Sequence, residues 1–192
     1  MKIKINSKKI SIIFIVVLLL VVYVFAVCNV NAKYKPALQE TYEFGEMFQI
    51  ESVQMKMTKA VFMREDEMPD DEAFNKSIKH LLDYRETKIP YLILMEMDII
   101  NTSEKNVRVD LTNLHLESGA FSLQPYYELM VYYNQCGMYV DLEPGENKTL
   151  KLPVPILKIY FPESDWRSIE NREFSLVFSL YPKKQIAKIS FS

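Results

Sequence analysis

YLILMEMDIINTS, residues 91–103, is the stretch on which the fold turns. Side chains of an extended chain alternate between two faces, so Tyr91, Ile93, Met95, Met97 and Ile99 share one of them. The opposite face opens apolar with Leu92 and Leu94 and turns acidic at Glu96 and Asp98. Asn101-Thr102-Ser103 closes the strand with side chains that bond nearby backbone and accept turn conformations.

The same period of two recurs outward from this strand. Val53, Met55 and Met57 alternate with Gln54 and Lys56, and Val61 and Met63 extend that run. Val107, Val109 and Leu111 alternate next, with Leu114 and Leu116 after a change of phase. Leu150, Leu152, Val154 and Ile156 alternate with Lys151, Pro153 and Pro155. Prolines donate no ladder hydrogen bond, which makes this stretch an edge strand or an extended cover. Pro144-Gly145 fits the middle of a type II turn. Phe174–Tyr181 and Ile186–Phe191 read as a closing hairpin around Pro182-Lys183-Lys184-Gln185. The count is six to eight strands.

Helix is the minority. Asp70-Asp71-Glu72 after Pro69 caps a helix start, with Phe74, Ile78, Leu81 and Leu82 on its apolar face. Lys79, His80 and Arg85 fall at its carboxy-terminal end, where cations complement the helix dipole. Ser164-Asp165-Trp166-Arg167 reads as a single capped turn, and Tyr126–Asn134 fits helix or strand. Many strands, few helices and no βαβ alternation give an all-β class, an antiparallel sandwich with one or two short helices.

The amino terminus carries a different signal. Lys2, Lys4, Lys8 and Lys9 precede an apolar run from Ile10 to Cys28 in which Ser11 is the one polar exception. At ~1.5 Å per helical residue, the 18 residues from Ile10 to Val27 span about 27 Å, close to the ~30 Å hydrocarbon core of a bilayer. Lysines on the amino-terminal side favour leaving that end in the cytoplasm. A retained anchor is preferred to a signal cut after Ala32 and to lipid attachment at Cys28, where Val27 is too bulky for the usual motif. The organisation that follows is a cytoplasmic basic segment (1–9), a transmembrane helix (10–28), a tether (29–41) and an extracytoplasmic domain (42–192). The expected partners are the bilayer, through residues 10–28, and a membrane or cell-envelope protein.

Composition narrows the function. The chain of 192 residues is 49% apolar with a net charge of −2, which excludes a disordered polymer. Beyond residue 32 it carries 19 basic against 25 acidic residues, the wrong sign for a nucleic-acid binder. Cys136 is the one cysteine of the outer domain, so its stability comes from an apolar core rather than a disulfide.

The order of these features is similar to a known family. A basic start and membrane segment precede a strand ending Asp98-Ile99-Ile100-Asn101-Thr102-Ser103-Glu104-Lys105. Leu142-Glu143-Pro144-Gly145-Glu146 follows, and then two closing strands. From Tyr42 to Ser192 the chain resembles the bacterial extracytoplasmic immunoglobulin-like domains of unknown function, the telokin-like group of Gram-positive lipoproteins and membrane-anchored proteins. That resemblance implies an immunoglobulin-like β-sandwich outside the cell, with no catalytic residues to carry over. The chain departs from many members in its poor lipobox and in an insertion around residues 64–89.

Chemistry is sparse. His80 and His115 are the only histidines, and no strained serine elbow accompanies them, so no enzyme is expected. Met55/Met57 and Met95/Met97 each place two thioethers on one strand face, a spacing that suits Cu(I). Methionine also fills core gaps, and both pairs continue apolar stripes, so packing is the favoured reading. Glu65–Glu72 holds six acids but lacks the alternating ligands and mid-loop glycine of a calcium loop. Tyr126, Tyr127, Tyr132, Tyr133 and Tyr139 form the densest aromatic cluster, split between core packing and a binding surface. At least two of these rings are expected to be solvent-exposed on one side. Nothing calls for a cofactor. The leading function is a non-enzymatic binding module, and the alternative is a small-ligand or metal-handling protein (copper or calcium) marked by a concave polar site.

Overall fold

The structure, a computed structural model, describes residues 7–33, 38–82, 89–180 and 183–191. Lys2, Lys4, Pro36, Arg85, Tyr181 and Pro182 therefore lie outside the described residues. The chain divides into two units, residues 1–37 and 38–192.

In the first unit α1 (Ser7–Lys33) is a single helix. From Ile13 to Lys33 every side chain is exposed, and the segment has a mean hydropathy of 3.0 over its most apolar window. It is thus long and apolar enough to cross a membrane. The helix runs past Cys28, so Asn29–Lys33, expected in the tether, are helical.

In the second unit the strands are, in chain order, β1 (Leu38–Tyr42), β2 (Met47–Ile50), β3 (Val53–Arg64), β4 (Tyr91–Asn101), β5 (Val107–Asp110), β6 (His115–Ser118), β7 (Phe121–Leu123), β8 (Tyr139–Leu142), β9 (Asn147–Ile156), β10 (Ser175–Ser179) and β11 (Lys183–Lys188). Three short helices accompany them: α2 (Glu72–Ile78), α3 (Tyr127–Asn134) and α4 (Glu163–Trp166). One sheet has the order β1-β11-β10-β6-β7 and the other β2-β3-β4-β9, while β5 and β8 pair separately. Apolar faces from all three meet in one core, which makes the unit a β-sandwich.

The decisive strand behaves as its alternation requires. Ile93, Met95, Met97 and Ile99 are fully buried in the core, in one cluster with Met55 and Met57. Leu92, on the opposite face, is buried against Phe74, Ile78, Ile89, Leu129 and Leu157. The apolar start of that second face is therefore explained by α2 and α3, which cover it. Farther along, the uncovered part carries Glu96 and Asp98. In β3 a bulge at Thr58 shifts the alternation: Met57 pairs with Met97, then Lys59 with Glu96 and Ala60 with Met95. Ala60 and Phe62 consequently join Met57 in the core, and Met63 packs in the outer cluster.

Several boundaries differ from the sequence expectation. Leu38–Thr41, expected in the tether, form most of β1, which pairs with β11 and so moves the domain start to Leu38. That pairing is parallel, in a unit whose other pairs are antiparallel. Eleven strands stand among the described residues, against six to eight expected; β1, β2, β7 and β8, three to five residues each, are the additional ones. The turn expected to be capped by Ser164 begins one residue earlier, at Glu163. Asp71 does cap α2, accepting the Phe74 N–H at 2.9 Å.

Two corners of one design carry the chain into the second sheet. Glu43-Phe44-Gly45-Glu46 leads β1 to β2, and Glu143-Pro144-Gly145-Glu146 leads β8 to β9. In each the second Glu donates its N–H to the first Glu's carbonyl at 3.0 Å and accepts that residue's N–H on its carboxylate. Gly45 and Gly145 have φ of 81° and 72°, which only glycine adopts without strain.

Candidate functional site

The corner at Pro144-Gly145 does more than turn the chain. β8 goes with β5 and β9 with β4, so the two strands splay apart from it instead of pairing. Between them opens a groove of about 810 Å³, lined along its sides by Tyr139, Asp141, Lys148 and Lys151. The far end is closed by the carboxy terminus of α3 and the chain just after it, including Gln135 and Cys136. Near the corner Lys148 bridges the two walls, donating from Nζ to the Asp141 carbonyl at 2.9 Å.

Asn134 holds the closed end. Its Nδ2 donates to the Lys151 carbonyl at 2.7 Å and its Oδ1 accepts the Lys151 N–H at 2.7 Å. One amide side chain thus reproduces the two-bond pairing of a neighbouring strand. Gln135 then takes the left-handed conformation (φ 57°) that ends α3, its N–H donating to the Val131 carbonyl. Pro153 lies against the start of this helix, its carbonyl accepting the Tyr126 N–H at 2.8 Å. The proline-bearing strand is accordingly an edge strand that is also covered.

The five tyrosines divide. Tyr126, Tyr132 and Tyr133 are half-buried in the outer cluster, while Tyr127 and Tyr139 are each 56% exposed. Tyr132 donates to Asp71 at 2.6 Å and packs edge-on against Phe74, fastening α3 to α2. That bond, with burial second, pushes the Tyr132 phenol up to about 12 and holds the Asp71 carboxyl below its ordinary value. Burial is the first cause raising Tyr126 and Tyr133 to about 12. The Tyr133 hydroxyl is buried and has no hydrogen-bond partner among the described residues. Its ring lies below Lys151 Nζ, 5.6 Å from the centroid. Tyr127 covers Gly137, where an added Cβ would sit 2.7 Å from the ring. Only Tyr133 and Tyr139 line the groove.

The four methionines lie elsewhere. Met55, Met57, Met95 and Met97 are at most 6% exposed and point into the core, Met57 directly across from Met97. His80 is exposed in the turn after α2, and His115 is half-buried on β6. The acids of 65–72 are used locally, Glu67 accepting the Arg64 N–H and Asp70 the Asn75 amide. No group of three His, Cys, Asp or Glu is placed to hold a metal among the described residues.

Charge in the groove is balanced. Asp141 is tied to Arg108 at 2.7 Å, which depresses its carboxyl, and Lys148 to Glu146 at 3.0 Å, whose carboxyl is depressed first by the Glu143 N–H and then by Lys148. Burial raises the half-buried Cys136 thiol, which disfavours its nucleophilic form. Asn134, Lys148 and Lys151 were not foreseeable as site residues, since the groove exists only once β8 and β9 have gone to different partners.

Three solved structures of bacterial proteins are similar to this chain. The yjhA protein from Bacillus subtilis is 13% identical with a TM-score of 0.46, over 78% of this chain and 99% of that one. An uncharacterized beta-sandwich protein from Clostridium difficile 630 is 15% identical with a TM-score of 0.44, over 82% and 99%. A functionally unknown protein from Listeria monocytogenes EGD-e is 10% identical with a TM-score of 0.48, over 77% and 82%. No curated protein matches the sequence. A family model described as a domain of unknown function, DUF5028, matches residues 36–185, and the chain belongs to that family.

Proposed function

We propose that this protein is a non-enzymatic binding module, held at the membrane by α1 with residues 38–192 outside the cytoplasm. Its groove between β8 and β9 engages another protein of the membrane or envelope. The observation that carries the reading is the groove itself: an open, charge-balanced recess of about 810 Å³ with the exposed Tyr139 on its wall. Tethering in the same bilayer raises the effective concentration of a partner, so modest contacts suffice. The immunoglobulin-like, telokin-like kinship belongs to this reading and supports the extracytoplasmic placement.

The test is photo-crosslinking in intact cells, with a benzophenone amino acid at Tyr139 and, as control, at exposed Ser122. A defined protein adduct from position 139 that is absent from position 122 supports the reading. Equal or absent adducts overturn it. Protease added to the same cells degrades residues 38–192 if they face outward, and spares them otherwise. A second reading, a small polar ligand in the groove, is favoured by its concavity and predicts saturable binding without any protein adduct.

A further inference from the structure

We propose that the groove takes an extended peptide segment of a partner protein, which adds as a strand to the free edge of β8. This rests on the binding-module reading and gives it a ligand class. The phase of the backbone hydrogen bonds carries it. β5 and β8 are antiparallel, and Leu111 N–H donates to the Met138 carbonyl at 2.8 Å. Bonded pairs in such a ladder recur every second residue, so Val109–Val140 and Val107–Leu142 continue the series. The backbone groups of Tyr139 and Asp141 therefore point away from β5, into the groove.

The facing wall is different. Asn101 N–H donates to the Glu146 carbonyl at 3.0 Å, which sets Lys148, Leu150 and Leu152 toward β4. Asn147, Thr149 and Lys151 point outward by the same alternation. Most of that edge is already closed. Asn134 takes both backbone groups of Lys151, the Tyr126 N–H takes the Pro153 carbonyl, and Pro153 and Pro155 carry no N–H. On β8 the outward Asp141 carbonyl accepts Lys148 Nζ, and among the described residues no proline or side-chain surrogate closes the rest of the edge. Exposed edges are normally blunted against pairing. This one faces the groove instead of lying at the outside of a sheet.

The lining also selects. Glu96 and Asp141 offset Lys148 and Lys151, so a highly charged occupant gains nothing, and backbone pairing supplies the affinity. Tyr139 and the Tyr133 ring offer apolar contact to alternate side chains of the added strand.

The probe is a display library of random nonapeptides panned against the detergent-solubilised full chain. The best binder is then remade with backbone N-methyl groups on its odd or its even residues. Strand addition predicts that one methylation phase weakens binding roughly tenfold or more and the other hardly at all. Tyr139→Pro, which removes an N–H that β5 does not use, abolishes binding, whereas Tyr139→Ala retains most of it. Equal effects of the two phases overturn the proposal, whatever the variants do. So does selection of no peptide while N-acetylglucosamine oligomers bind, which assigns the groove to a saccharide. No peptide with a persisting Tyr139 adduct in cells overturns strand addition alone; loss of both overturns the module reading too.

Discussion

The side-chain amide of Asn101 donates to the carbonyl of Glu143, forty-two residues along the chain, at 3.0 Å. The same Nδ2 reaches the carbonyls of Leu142 and Lys105, and Oδ1 accepts from the backbone and hydroxyl of Ser103. Its backbone bonds Gly145 and Glu146. Asn101 is fully buried, so this one residue joins the end of β4 to the corner from which the groove opens. The two turn motifs quoted for the family resemblance are thereby one structural unit.

Replacing Asn101 by Ala strands those buried carbonyls without a donor, and by Asp it adds a carboxylate against them. Each change is expected to cost about 3 kcal/mol, with Asp the worse. Urea unfolding of the detergent-solubilised protein measures it. A loss under about 1 kcal/mol in both variants contradicts the role given to Asn101.

The Tyr132–Asp71 bond ties α3 to α2 and sets a pH window. The Asp71 carboxyl is depressed, so its contribution is intact above the ordinary carboxyl value and lost on acidification through the lowered one. The Tyr132 phenol is raised from 10.0 to about 12, so its contribution is intact below pH 10 and lost over that interval. Tyr132→Phe lowers Tm at neutral pH and removes part of the loss at both extremes. Because both groups are near the surface, the effect is small. Parallel Tm-against-pH curves for the two proteins contradict this coupling.

Legibility followed the length of each pattern. β4 and β9 repeat their period over ten or more residues and the prolines of β9 announced an edge, whereas β3 keeps its phase only as far as Met57, where the bulge shifts it. β1 was hidden because what makes Leu38–Tyr42 a strand is β11, some 145 residues away in sequence. α3 was ambiguous since its residues serve two neighbours, Leu129 packing in the outer cluster and Met130 in the main core. The tyrosines could be grouped by sequence but not oriented. Their division follows from the docking of α3 on α2 and β9, which no local spacing encodes.

Thr58 is the extra residue of the β3 bulge, with its neighbours Met57 and Lys59 already in consecutive register opposite Met97 and Glu96. Deleting it leaves Ala60 and Phe62 facing the core. Deleting Lys56 instead sends one side of the strand out of phase. The first deletion is expected to fold with a modest loss of stability and the second to fail, as read by thermal melts. Equal failure of both means that the bulge's twist, rather than its register, is what the sheet needs.

Met57 and Met97 face each other in a dry core, so leucine at both fills nearly the same volume. The double variant is expected to lose less than about 1.5 kcal/mol. Cu(I) titrations under reducing conditions should superimpose for the two proteins. A copper affinity present in the wild type and lost in the variant restores the thioether reading.

Asn134 completes the edge of β9 by offering Lys151 a donor and an acceptor together, and only an amide does both. Asn134→Asp keeps the acceptor for the Lys151 N–H but turns a carboxylate oxygen toward the Lys151 carbonyl. The expected cost is about 1–2 kcal/mol. Amide hydrogen exchange separates this loss from a general one. Exchange at Lys151 and in α3 accelerates, while Met97 and Ile99, deep in the core, keep their protection. Uniform acceleration across β4 instead means that Asn134 supports the whole sandwich, and the closed end of the groove is then as stable as the core it rests on.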